Sequence, residues 1–144
     1  MKWLRRLFLG ESPRPRAVHE IEALGERVRA HDDRIGAALE LLWATFRAPA
    51  LMAAFELYTA ARTDEALREA LRPVLLQHRQ NLAEEARRLF PEAAVKNPRF
   101  DDTVSGILST MQGAAMMEMA LPEPDAGRAE LAFLEAVARR ELEA

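Results

Sequence analysis

LELLWATFRAPALMAAFELYTAARTD, spanning Leu39–Asp64, decides the fold. Two apolar helical runs flank one break at Ala48-Pro49. Trp43 and Phe46 stand three residues apart, as do Phe55 and Tyr58, so each pair shares one side of its helix. Pro49 suits the first turn of the second helix, where its missing amide hydrogen costs nothing. Arg62-Thr63-Asp64 stops that run and begins another. Thr63 is read as its cap, with Ala66 at the third helical position, so no full capping box forms.

Working outward from this stretch, the upstream helix is Arg34–Arg47, with Asp32 or Asp33 as N-cap because a carboxylate there accepts from free first-turn amides. The second run, Ala50–Arg62, is apolar on most sides and is expected in the interior. Downstream, a helix capped by Thr63 runs to about Phe90, with Leu67, Leu71, Val74/Leu75, Leu82, Ala86 and Leu89 along its buried stripe. Pro73 is expected to kink or split it near Arg72. Pro91–Arg99 reads as a loop in which Asn97-Pro98 starts the next helix. That helix, Arg99–Leu121, has apolar or small residues on nearly every side through Ile107–Met117, a pattern of burial all round. Pro122-Glu123-Pro124 ends it, and Asp125 is expected to cap a last helix reaching about Leu142.

Before this body stand Ala17–Ala30 and Met1–Leu9. The first is a polar helix with one narrow stripe, Val18, Ile21, Leu24 and Val28, weakened by about 1 kcal/mol at Gly25. The second is a short basic and apolar stretch, MKWLRRLFL, closed by Gly10 and the linker Ser12-Pro13-Arg14-Pro15. The domain reading is a basic N-terminal segment and linker over residues 1–16 and a helical domain over 17–144.

Composition agrees with this layout. At 144 residues the chain suits one domain. Ala, Leu, Glu and Arg dominate over the β-branched residues, which favours an all-α bundle of about six helices. There is no cysteine, so disulfides and thiolate chemistry are excluded. The net charge of −3 offers no global attraction to nucleic acid. Lys2, Arg5, Arg6, Arg14 and Arg16 nevertheless make the first sixteen residues basic, and a basic, aromatic head suits an anionic membrane surface through residues 1–9. No apolar run is long enough to cross a bilayer, and a cytoplasmic location is expected.

Catalytic signatures are missing. No phosphate loop, nucleophile elbow or HExxH pair occurs, and His19, His31 and His78 lie on different elements. His19 and Glu22 sit one turn apart, as a solvated pair would. We expect no enzyme, no metal and no cofactor. Trp43, Phe46, Phe55 and Tyr58 suggest either a cavity with one phenol hydroxyl or ordinary core packing. The methionines Met111, Met116, Met117 and Met119 suit an adaptable surface or a core. Glu56 and Glu118 are single carboxylates in apolar helices, read as rim groups or arginine partners. Gly106 and Gly113 share one helix face with Thr110 and Met117, and small residues let a second helix approach closely. Either the last two helices of two copies form a four-helix interface, or the face makes an intrachain contact.

From about Ile35 onward the chain resembles the C-terminal regulatory domain of TetR-family transcriptional regulators. The similarity rests on ALELLWATFRAPALMAAFELYTAARTDEALREAL (Ala38–Leu71), NLAEEARRLFPEAA (Asn81–Ala94), NPRFDDTVSGILSTMQGAAM (Asn97–Met116) and the closing helix. FELYTAARTDEALR (Phe55–Arg68) is its most family-like phrase. The resemblance implies a helical homodimer that binds a small hydrophobic effector. It implies a ligand site at Trp43, Phe46, Phe55, Tyr58 and Met111. It implies a dimer interface at Gly106, Thr110, Gly113, Met117, Leu131, Leu134 and Ala138. The family's helix-turn-helix needs about fifty residues ahead of this domain, whereas Met1–Asp33 carry no such pattern, so operator binding by this chain alone is not expected.

Overall fold

The computed structural model describes residues 16–122 and 127–143. Among them are seven helices and no strand: α1 (Arg16–Arg29), α2 (Arg34–Phe46), α3 (Pro49–Ala61), α4 (Glu65–Leu89), α5 (Pro91–Lys96), α6 (Phe100–Ala120) and α7 (Arg128–Leu142). The all-α bundle expected from composition is what the chain forms. The basic segment Met1–Leu9, its linker and Asp125 lie outside the described residues. No single described helix is long and apolar enough to cross a membrane.

Local chemistry sets the helix ends. Asp33 caps α2 by accepting from the Gly36 amide at 3.0 Å. Pro49 opens α3 from the first turn, and the α2–α3 pair bends by 64° at the break. Asp64, not Thr63, caps α4, accepting from the Leu67 amide at 3.0 Å. The Thr63 hydroxyl turns back to the Ala60 carbonyl instead. A carboxylate outcompetes a hydroxyl for free amides at the positive helix end.

Three other expectations change. α4 runs unbroken through Pro73, because Pro73 and Glu69, whose carbonyl loses its donor, are both exposed to water. The expected loop after Phe90 holds the short helix α5, begun by Pro91 and capped electrostatically by Glu92 and Lys96. The last helix starts at Arg128, behind Gly127 at φ 80°. Gly127 is required twice: its φ is left-handed, and a Cβ there would lie 2.2 Å from Cζ2 of Trp43.

Helix α6 is the hub. It buries Phe100, Val104, Ile107, Met111 and Ala115 and packs on α2, α4, α5 and α7. Contrary to the expectation of burial all round, Gly106, Ser109, Thr110, Gly113, Met116 and Met117 face solvent. α3 is likewise not interior. It packs on α2 and α4, burying only Ala54, Phe55 and Ala61. On α3 alanine explains the difference, since Ala50, Ala53 and Ala60 read as apolar in a pattern yet are exposed; on α6 it is small glycine, serine and threonine that stand at the surface. α7 runs antiparallel to α6: Leu142 packs near Phe100 and Val104, and Glu141 receives Arg99 at 2.9 Å and the Asn97 amide at 3.0 Å.

Arg139 of α7 crosses to the cap of α2 and meets Asp33 at 2.8 Å. That guanidinium first, and the Gly36 amide second, hold the Asp33 carboxyl below its ordinary value. A depressed carboxyl stabilises the fold above its unfolded-state pKa, near about 4, and loses that contribution as pH falls through the folded value. Urea unfolding between neutral pH and pH about 3 therefore gives a falling midpoint, and Arg139→Met flattens the fall without abolishing it. Parallel curves for the two proteins would contradict this.

Candidate ligand cavity and its buried carboxylate

The five residues first assigned to a ligand come together, but as packed interior. Trp43, Phe46, Phe55 and Met111 belong to one buried cluster with Ile107 and Leu134, and Tyr58 packs against it. Phe55 and Tyr58 meet edge to face at 6.1 Å, and burial pushes the Tyr58 hydroxyl above its ordinary pKa. Arg47 covers the Trp43 ring at 5.6 Å and pairs with Glu118 at 2.6 Å. Glu118 is thus an arginine partner, and Glu56 is exposed.

The open space lies elsewhere. A cavity of about 110 Å³, partly open to solvent, is walled by α1, α2, α4, α6 and α7, and none of those five residues lines it. α1 contributes Ile21, Leu24, Gly25 and Val28. α2 contributes Ile35, Ala38, Leu39, Leu41 and Leu42. α4 gives Leu82, Glu85, Ala86 and Leu89, and Phe90 follows it. Val104, Ile107 and Leu108 of α6 and Ala138 and Leu142 of α7 complete it. Side chains at every third or fourth position point from each helix to this centre. Ala38, Ala86 and Ala138 leave space where larger residues would meet.

Glu85 is the one charged residue in that wall. It is 5% exposed. Its Oε1 accepts from Arg29 at 2.9 Å and its Oε2 from Arg88 at 3.1 Å. Arg29 also holds Glu26 at 2.9 Å, and Arg88 reaches Glu22 at 3.9 Å. Glu85 lies close against Gly25: a Cβ there would come 1.7 Å from Oε1, so the carboxylate would have to shift from its present place. The sequence reading took Gly25 as a weak point in a polar helix and passed over Glu85. The available signal was a carboxylate standing in the stripe Leu82, Ala86, Leu89.

The residues assigned to subunit contact divide. Gly106, Thr110, Gly113 and Met117 line the outward face of α6, and a Cβ at either glycine meets nothing within 4 Å. Leu131 is half-buried. Leu134 and Ala138 do not reach the surface, because the stripe Leu131, Leu134, Ala138, Leu142 is the inward side of α7. The outward side carries Ala129, Ala132, Phe133 and Ala136, with Phe133 64% exposed.

His19 and Glu22 form an exposed pair at 3.7 Å. His78 is half-buried, and desolvation lowers its pKa. No cluster of three metal-ligating side chains occurs among the described residues. No protein-family model, curated protein or solved structure matches the chain.

Gly25→Ala tests the notch. Alanine gains about 1 kcal/mol of helix propensity. Expelling Glu85 from two charge-assisted bonds costs about 1.5–3 kcal/mol for each bond lost. Net destabilisation is expected in chemical unfolding, and a more stable variant would refute the fit.

Proposed function

We propose that the chain is the effector-binding and dimerisation domain of a TetR-like transcriptional regulator, a module of binding rather than catalysis. It holds a small apolar molecule in the cavity between α1, α2, α4, α6 and α7. It pairs with a second copy through the outward faces of α6 and α7. The cavity carries this reading. Its wall is aliphatic apart from Phe90 and Glu85, and no buried side-chain nitrogen or oxygen among the described residues lacks a partner. Such a space gains by taking apolar surface out of water.

The pairing rests on what α6 and α7 leave uncovered. Met116, Met117, Met119, Leu121 and Phe133 are between 44% and 64% exposed. Exposed large apolar residues of this kind suit a contact surface when a partner covers them. The glycines and alanines between them allow close helix approach, and a two-fold arrangement would bury the same face on both copies.

Two measurements test the proposal. Toluene is expected to raise the thermal midpoint of the wild-type chain and not that of Ala86→Leu, whose added side chain fills the cavity. Saturation at about 100 times Kd would add about 2.7 kcal/mol, and no shift in the wild type would end the ligand reading. Light scattering is expected to give twice the chain mass at micromolar concentration and the single mass for Gly113→Arg. A monomeric wild type would end the pairing reading.

A further inference from the structure

Sulfur in this chain is sorted by depth. The sequence has six methionines and no cysteine, so every sulfur is a thioether. Met111 is 1% exposed, and Met52 is half-buried against the same core cluster. Met1 lies outside the described residues. Met116, Met117 and Met119 are 44%, 59% and 48% exposed and stand together near the end of α6. None of the three belongs to the buried stripe of that helix. In their turn it is Glu118 that is half-buried, ion-paired to Arg47 at 2.6 Å. The core can therefore keep its own sulfurs while the surface ones change.

We infer that Met116, Met117 and Met119 form an oxidation site that governs self-pairing. In the unpaired chain a two-electron oxidant of the hydrogen peroxide class converts these thioethers to sulfoxides, and the sulfoxides keep the outward faces of α6 and α7 of two copies apart. This rests on the pairing reading above and is independent of the ligand reading. The sulfur lone pair forms an S–O bond as the O–O bond of the peroxide breaks. Hydroxide leaves, takes the proton from the transferred oxygen and becomes water. Sulfur loses two electrons, and the peroxide gains them. A flexible apolar side chain thereby becomes polar. Burying its new oxygen without a donor carries a desolvation cost. Pairing covers these sulfurs and oxidation opposes pairing, so a paired chain is shielded and an oxidised chain stays single.

The test treats the chain with hydrogen peroxide below and above the concentration at which it pairs. Added oxygen is mapped by peptide mass spectrometry, pairing is followed by light scattering and helicity by circular dichroism. Met116, Met117 and Met119 are expected to convert ahead of Met52 and Met111, and more slowly in the concentrated sample. The oxidised chain is expected to stay helical and to pair about tenfold or more weakly, the size of one buried polar group without a partner. Methionine sulfoxide reductases acting on both epimers are expected to restore pairing. Met52→Leu is expected to respond as the wild type does, which separates the surface sulfurs from the half-buried one. Conversion of Met52 or Met111 at the same rate, loss of helicity on oxidation, or unchanged pairing of the oxidised chain would each overturn the inference and leave the pairing reading standing. An untreated chain that stays single at every concentration would overturn the pairing reading and this inference with it.

Discussion

One buried face holds the bundle together: Phe100, Val104, Ile107, Met111 and Ala115 on α6. Each large side chain on it contributes roughly 1.5–3 kcal/mol by leaving water. Four helices take their positions from this face, and two separate buried clusters meet along it. The opposite face carries small and polar residues, Gly106, Ser109, Thr110 and Gly113, with Met116 and Met117 toward its end. The helix is thus buried on one side by its own chain and open to solvent on the other. That asymmetry, more than overall hydrophobicity, sets what the fold is available to do.

The second constraint is local. Helix α1 contacts α2 and α4 alone among its main neighbours, and its strongest polar tie is Arg29 to Glu85. Burying a carboxylate is costly unless it is paired and hydrogen-bonded, and removing one partner costs more than the pair returns. Glu85 meets that condition through two arginines, and Gly25 supplies the room. The glycine that looks like a defect in an isolated helix is the condition for joining that helix to α4.

Helix order was legible because alternation of apolar and charged residues at three- and four-residue steps needs no tertiary knowledge. Asp33 as a cap and Pro49 in a first turn could be read because their chemistry is confined to four residues. What could not be read were choices between two faces of the same helix. In α7 the family resemblance implied a partner contact at Leu131, Leu134 and Ala138, yet that stripe points inward, and Phe133 points out. The aromatics of α2 and α3 were recognised as one group, but a sequence does not say whether aromatic faces meet or leave a gap. Here they meet. The gap lies among leucines and alanines, the least distinctive residues in the chain, beside a glutamate that the pattern did not single out.

That gap is expensive by the standards of a small domain. Empty interior costs about 24 cal/mol for each Å³, so a closed void of about 110 Å³ would cost roughly 3 kcal/mol. Net stabilities are only about 5–15 kcal/mol. Opening to solvent lowers this figure but exposes aliphatic walls to water instead. The remedy is simple in chemical terms, since one larger side chain in place of Ala38, Ala86 or Ala138 would occupy part of the space. The residues that keep it open are the smallest at their positions, and they lie on three different helices. Under the proposed reading, an apolar guest that recovers the lost contacts would return part of that cost.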